Sequence, residues 1–133
     1  MRIVVSLLML LPAMGIAQTA QTWKPERPVE LIVGAAPAGA NDRIGRAIQR
    51  TLQESKLANP VNVMNKPGGG QAVAFAYLNS YTANPHYLGL ASSSWLTTVA
   101  AGRGTITPRD LTPIVKMLDE YQVYFVRAES PIR

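Results

Sequence analysis

The chain contains no cysteine, a single histidine, two phenylalanines and two tryptophans in 133 residues. The missing thiols exclude disulfides, thiolate catalysis and cysteine-based metal sites. They also exclude the lipid anchor that an exported lipoprotein carries on a cysteine behind its cleavage site. Acidic side chains are scarce too, 8 against 13 Lys and Arg, for a formal net charge of +5. The excess is scattered rather than clustered. Arg43, Arg46 and Arg50 recur at helical spacing and read as the solvated face of an amphipathic helix, not the dense basic stripe of a nucleic-acid reader. A basic balance in an exported protein suits an anionic small ligand. No segment after the amino terminus is apolar enough to span a bilayer, which takes about 20 residues.

What is there begins with an address. Met1-Arg2 supplies one positive charge, and Ile3 to Leu11 follow without another. Pro12 breaks that run, and Gly15 and Ala17 fit the small-x-small exit of a secretory signal peptide. Cleavage is expected after Ala17, with Ala20 as the second choice. A membrane anchor would need a longer run, and here Gln18, Thr19, Gln21 and Thr22 follow. The expected organisation is therefore a signal peptide over 1–17 and an exported mature segment over 18–133. The latter has about 116 residues, enough for one modest domain with its own core.

Val29-Glu30-Leu31-Ile32-Val33 is a short β-type run between Pro28 and Gly34. The loop Gly34 to Ala40 is built of small residues, and Asn41 and Asp42 supply helix-start chemistry. The spacing predicts a helix over 43–57, with Ile44, Ala47, Ile48 and Leu52 on one face. Arg43, Arg46, Gln49, Arg50, Gln53 and Glu54 fall opposite. The pattern then repeats. Val61 to Met64 is a second strand, Asn65 to Gly70 a second glycine-rich loop, and 71–81 a second helix. That helix offers Val73, Ala74, Tyr77, Leu78 and Tyr81 to the core. Tyr87 to Ala91 is a third strand, Ser92-Ser93-Ser94 a third small polar loop, and 95–101 a short helix. Two further extended segments are expected at 111–118 and 122–126. Strand, loop and helix three times over predict an α/β unit with parallel strands and right-handed crossovers. In such sheets ligands gather outside the carboxyl ends of the strands, where all three loops are expected to lie.

Loops 34–40 and 67–70 offer backbone N–H groups with little side chain in the way. A helix start behind such a loop favours an anion, although glycine can also serve only to permit a tight turn. Nucleotide motifs fail. Lys66 precedes its glycines instead of following them, and Gly34 and Gly39 do not make a dinucleotide fingerprint. His86 beside Pro85 reads as a turn residue, and Asp42 as a helix-start carboxylate. Asp119-Glu120 has no metal-like spacing. Ser92 to Ser94 lack the context of a nucleophile elbow and make better sense as hydroxyl donors to a carboxylate. Trp95 beside them either packs in the core or walls a pocket. No catalytic residue, metal ligand or cofactor is expected.

The blocks Arg27 to Val33, Ala36 to Asp42, Val63 to Gly70, His86 to Ser93, and Asp110 to Ile114 with Glu120-Tyr121 occur in one order. In that order they resemble the Bug receptors, the extracytoplasmic substrate-binding proteins of tripartite tricarboxylate transporters. The resemblance implies a type II periplasmic-binding fold, two α/β lobes closing on a small carboxylate, with no catalysis and no cofactor. Its ligand-binding positions fall on Ala38, Gly39, Asn41 and Asp42, on Gly68, Gly69 and Gly70, and on Ser92 and Ser93. The implied partners are a di- or tricarboxylate and membrane transporter subunits, with no nucleic acid. Three departures stand out. Ala38 and Gln71 occupy usual glycine positions, and Gly34-Ala35 stands where the family often has Pro-Phe. A receptor of this family continues well past residue 133, so the chain is expected to be a truncated first lobe with a mainly parallel sheet. The alternatives are an exported α/β hydrolase or transferase using the same loop edge, and a receptor fragment without function of its own.

Overall fold

The computed structural model describes residues 23–121 and 123–132. The expected signal peptide and both candidate cleavage positions lie outside them. The described chain is α/β. It runs β1 (Val29–Val33), α1 (Ala40–Glu54), β2 (Val61–Asn65), α2 (Ala72–Asn79), β3 (Tyr87–Leu90) and α3 (Ser93–Ala100), with a 3-10 turn at Gly69–Gln71 and another at Pro108–Asp110. Among the described residues no helix is long and apolar enough to cross a membrane.

The sheet has the order β2-β1-β3, and both pairings are parallel. Val29 pairs with Val61, Val33 with Asn65 and with Leu90, so the three carboxyl ends share one edge. Parallel strands covered by crossover helices are buried on both faces and read as near-continuous apolar runs. β1 fits that rule: Val29, Leu31, Ile32 and Val33 are all buried. Ile48 and Leu52 of α1 pack against the cluster formed by Val29, Leu31, Val33, Ala58 and Val61.

The structure shifts several sequence-based boundaries. α1 begins at Ala40, not Arg43, with Gly39 as its N-cap, so Asn41 and Asp42 sit inside the first turn. α3 begins at Ser93, not Trp95, with Ser92 as its N-cap. The face assigned to solvent on α1 is also not wholly solvated. Gln49 Nε2 donates to the Val61 carbonyl at 2.6 Å, and Gln53 Oε1 accepts from the Val61 N–H at 2.9 Å. These two amides satisfy the first residue of β2, whose backbone groups would otherwise be costly to bury.

In α2 the phase differs from expectation. Phe75 and Ala74 are buried while Val73 is half exposed. Gln71 has a left-handed backbone, which starts the helix at Ala72 and rotates Phe75 inward. Phe75 stacks on Trp95 with ring centroids 4.0 Å apart, so Trp95 is a core residue. Tyr77 donates to Tyr81 at 3.3 Å, Tyr81 stacks on Tyr87, and Lys66 Nζ sits 3.8 Å over the Tyr77 ring. The hydrogen bond to Tyr81, with desolvation adding to it, pushes the Tyr77 phenol up to about 12.

The segments expected to extend over 111–118 and 122–126 do not join the sheet. Among the described residues beyond 110 there is no helix or strand, and Tyr124 and Phe125 are 90% and 87% exposed. Strand-forming residue types are present there without a partner, and a strand is stabilised by its cross-strand neighbours rather than by propensity alone.

The Phe75–Trp95 stack joins α2 to α3. Phe75→Leu is expected to lower unfolding stability by about 1 kcal/mol and to change Trp95 emission. Urea titration followed by fluorescence measures both.

Candidate functional site

The edge of the sheet beyond Val33, Asn65 and Leu90 carries all three loops, and they are bonded to one another. Asp42 is the first junction. It is 2% exposed. Its Oδ2 accepts from the Ala38 N–H and from Arg46 Nε, each at 2.9 Å, and its Oδ1 accepts from Asn65 Nδ2 at 2.9 Å. Asn65 also donates to the Ala35 carbonyl at 3.0 Å. One carboxylate thus fixes the first loop, the first turn of α1 and the end of β2. These donors, Arg46 foremost, then Asn65, then the Ala38 N–H, lower the Asp42 carboxyl to about 2 against its desolvation.

The second junction is Gln71, also 2% exposed. Its Nε2 donates to Ser92 Oγ in a short hydrogen bond and to Ser94 Oγ at 2.9 Å. Asn41 Nδ2 donates to the same Ser92 Oγ at 3.3 Å, and the two serine oxygens are 3.0 Å apart. The third loop is therefore held by the starts of both α1 and α2.

Backbone conformation explains the two usual glycine positions. Gly68, Gly69, Gly70 and Gln71 have φ of 127°, 55°, 56° and 73°, a run of positive values that favours glycine throughout. Ala38 has φ 65° and is likewise left-handed. Gln71 has a further requirement. A Cβ at Gly34 would lie 2.6 Å from both Cβ and Cγ of Gln71. The glycine at 34 and the glutamine at 71 are thus one packing arrangement, although 37 positions separate them.

The nine positions read from the sequence divide between the surface of this edge and the layer under it. Ala38, Gly39, Asn41, Gly68, Gly69, Gly70, Ser92 and Ser93 all lie on the loop edge, partly or fully exposed. Asp42 lies beneath it, buried, with both oxygens occupied. Ser93 Oγ donates to Glu120 Oε2 at 2.7 Å. Among the described residues, none of the three α-helices has a side-chain cap: Gly39, Gln71 and Ser92 precede α1, α2 and α3 without one. Their first-turn N–H groups are not taken by side-chain caps and carry the partial positive end of each helix. Arg43 Nη1 lies 3.4 Å from the Ala38 carbonyl and adds a cation beside the first loop.

Three further residues take part in the site beyond the nine ligand-binding positions read from the sequence. Asn65 was visible as a polar residue ending an apolar strand. Gln71 was visible only as a departure from glycine. Ser94 was read with its two neighbours as a hydroxyl donor to a carboxylate. His86 precedes β3, so it stands at the opposite end of the strand from the serines, with Nδ1 3.3 Å from Asn84 Oδ1 in a turn. Among the described residues no group of three or more His, Asp or Glu is placed to hold a metal ion. A concavity lined by Val126, Arg127, Glu129 and Ser130 belongs to the exposed tail and contains none of the loop residues.

The chain is thus an α/β unit whose helix starts and small-residue loops meet at one sheet edge. No family model and no solved structure matches it. It is 39% identical over 70 residues to Protein BugT of Bordetella pertussis, and 36% identical over 73 residues to a UPF0065 protein of the same organism. These stretches are 53% and 55% of this chain but only 21% and 22% of those proteins. Over about half its length the chain is a relative of Bug-family proteins, as the ordered sequence blocks indicated.

The Asp42 junction has a pH signature. Its folded carboxyl lies near 2 against an ordinary 3.8, so the unfolded chain binds more protons in that window. The stability it contributes is complete above about 3.8 and is lost as pH falls toward about 2. Asp42→Asn is expected to be less stable near neutrality and to lose less on acidification. Urea midpoints on either side of the window measure this. Gly34→Ala is expected to cost about 1–3 kcal/mol by overpacking, and most of that loss should vanish in a Gln71→Gly background. A double-mutant cycle on thermal midpoints reads the coupling.

Proposed function

We propose that the chain is part of an extracytoplasmic solute-binding receptor of a tripartite tricarboxylate transporter, and that it binds a small carboxylate for uptake without transforming it. One observation carries the reading. Three helices begin on one edge of a parallel sheet, none with a side-chain cap, behind loops that are cross-bonded into a single polar surface. An anion is the ligand such a surface stabilises, through backbone N–H groups, helix-start charge and hydroxyl donors. Relationship to Protein BugT and to the UPF0065 protein supports the same class.

In this proposal Ala38, Gly39 and Asn41 present the first loop to the carboxylate. Gly68, Gly69 and Gly70 present backbone N–H groups, and Ser92 and Ser93 place the serine run of the third loop at the same edge. Asp42 shapes the site from below by holding Ala38 and Asn65. The lobe belongs to a type II periplasmic-binding fold and forms one wall of a cleft that closes when a second lobe meets the ligand. The sequence over 1–17 directs the protein to the periplasm, where membrane subunits of the transporter receive the loaded receptor. The alternative, a hydrolase or transferase, needs a base within reach of Ser92, and the hydrogen-bond partners found for Ser92 are Asn41, Gln71 and Ser94.

Titration of the chain with citrate and with succinate, followed by amide NMR shifts and calorimetry, tests the proposal. Weak binding is expected, with shifts concentrated at 38–41, 68–70 and 92–93. Shifts confined to other surfaces would sink the proposed site, and tight binding by this chain alone would contradict closure by two lobes.

A further inference from the structure

The serine cluster has a direction as well as a position. A hydroxyl has one proton to give and two lone pairs to receive with. Gln71 Nε2 carries two protons, and its two neighbours are Ser92 Oγ and Ser94 Oγ. Ser92 Oγ also accepts from Asn41 Nδ2. Both lone pairs of Ser92 are then filled by amide protons, so its own proton must leave. The oxygen within reach is Ser94 Oγ at 3.0 Å. Ser94 Oγ now accepts twice, from Gln71 and from Ser92, and its proton is the one left over.

Ser94 is exposed on the first turn of α3, so that proton is available at the surface. The relay therefore runs one way, from the amides of Gln71 and Asn41 through Ser92 to an outward O–H.

The opposite amide orientation has a defined consequence. With Gln71 Oε1 turned to the serines, both hydroxyl protons would be drawn inward. The side-chain nitrogen would then occupy the buried position where Oε1 now lies without a partner. Two unmet N–H donors would replace one unmet carbonyl oxygen, and buried unpaired donors are the costlier set. The orphaned oxygen is what remains when the amide is committed to filling serine lone pairs.

We propose that Ser94 is a ligand contact of the loop edge and that Gln71 acts as a positioning residue, turning the Ser94 hydroxyl outward as a donor. The site then favours a group that only accepts, such as an ionised carboxylate, over a neutral amide of the same shape. This rests on the carboxylate-binding reading above and adds the residue pair that enforces it.

The test uses the chain with acetate, succinate and acetamide as probes, read by amide NMR shifts, with far-UV circular dichroism confirming the fold of each variant. In the unaltered chain, acetate and succinate should shift the amides of the first two loops, and acetamide should not. Ser94→Ala should weaken acetate and succinate binding about tenfold, the scale of a hydrogen bond to a charged group, and Ser94→Thr should restore it. Gln71→Gly suits the left-handed backbone and should weaken binding similarly. The double variant should bind no worse than either single one, because both changes remove the same directed proton. Unchanged affinity in Ser94→Ala, with the loop shifts intact, would overturn this inference and leave the carboxylate reading standing. Fully additive losses would overturn the role of Gln71. Carboxylates that shift no loop amide in the unaltered chain would overturn both.

Discussion

A buried carboxylate holds the loop edge together. Asp42 is removed from water, and an ion in that position is tolerated only when its oxygens are matched by donors. Here the donors come from three places: the backbone at Ala38, the next turn of its own helix at Arg46, and the end of the neighbouring strand at Asn65. Each would be free to move without the others. Ala38 holds a left-handed conformation that alanine disfavours by about 1–2 kcal/mol, and its N–H bond to Asp42 helps to hold it there. Asn65 in turn ties the Ala35 carbonyl to β2. The position of the second loop relative to the first follows from that bond.

Around this junction the polar residues divide by depth. The lower layer, Asp42, Asn65 and Gln71, spends its hydrogen bonds inside the protein and sets geometry. The upper layer, Gly39, the 68–70 glycines and the serines, lies at the partly or fully exposed surface of the edge. Lys66 belongs to neither. Its ammonium rests on Tyr77 and keeps its charge there, while backbone dipoles and Arg43 add positive potential at the loops. Backbone donors do not reorganise when a ligand arrives, which suits recognition of a small ion.

The alternation of strand, loop and helix was legible because each apolar run is bounded by glycine, proline or asparagine, and because β1 is apolar almost without interruption. From that alternation the common edge of the three loops follows by topology alone. Side chains that act across the fold were much less legible. An aspartate three residues into a helix looks like an exposed dipole partner, and only the neighbouring strand turns it into a buried junction. Gln49 and Gln53 have the spacing of a solvated face, yet both reach Val61. Gln71 looks like an intrusion into a glycine loop, whereas its side chain folds into the space above Gly34. The segments beyond residue 110 show the reverse error. Their composition favours strands, and composition does not supply the neighbour a strand requires.

The contact between Gly34 and Gln71 also makes the two positions a single choice. A Cβ at 34 would meet Cβ and Cγ of Gln71 at 2.6 Å, so a side chain at 34 is accommodated only if the residue at 71 becomes smaller or moves. Gln71 in turn draws its bonds to the serines from the space that glycine leaves. The hydrogen bonding of the third loop is thus tied to the absence of a side chain at the end of the first strand.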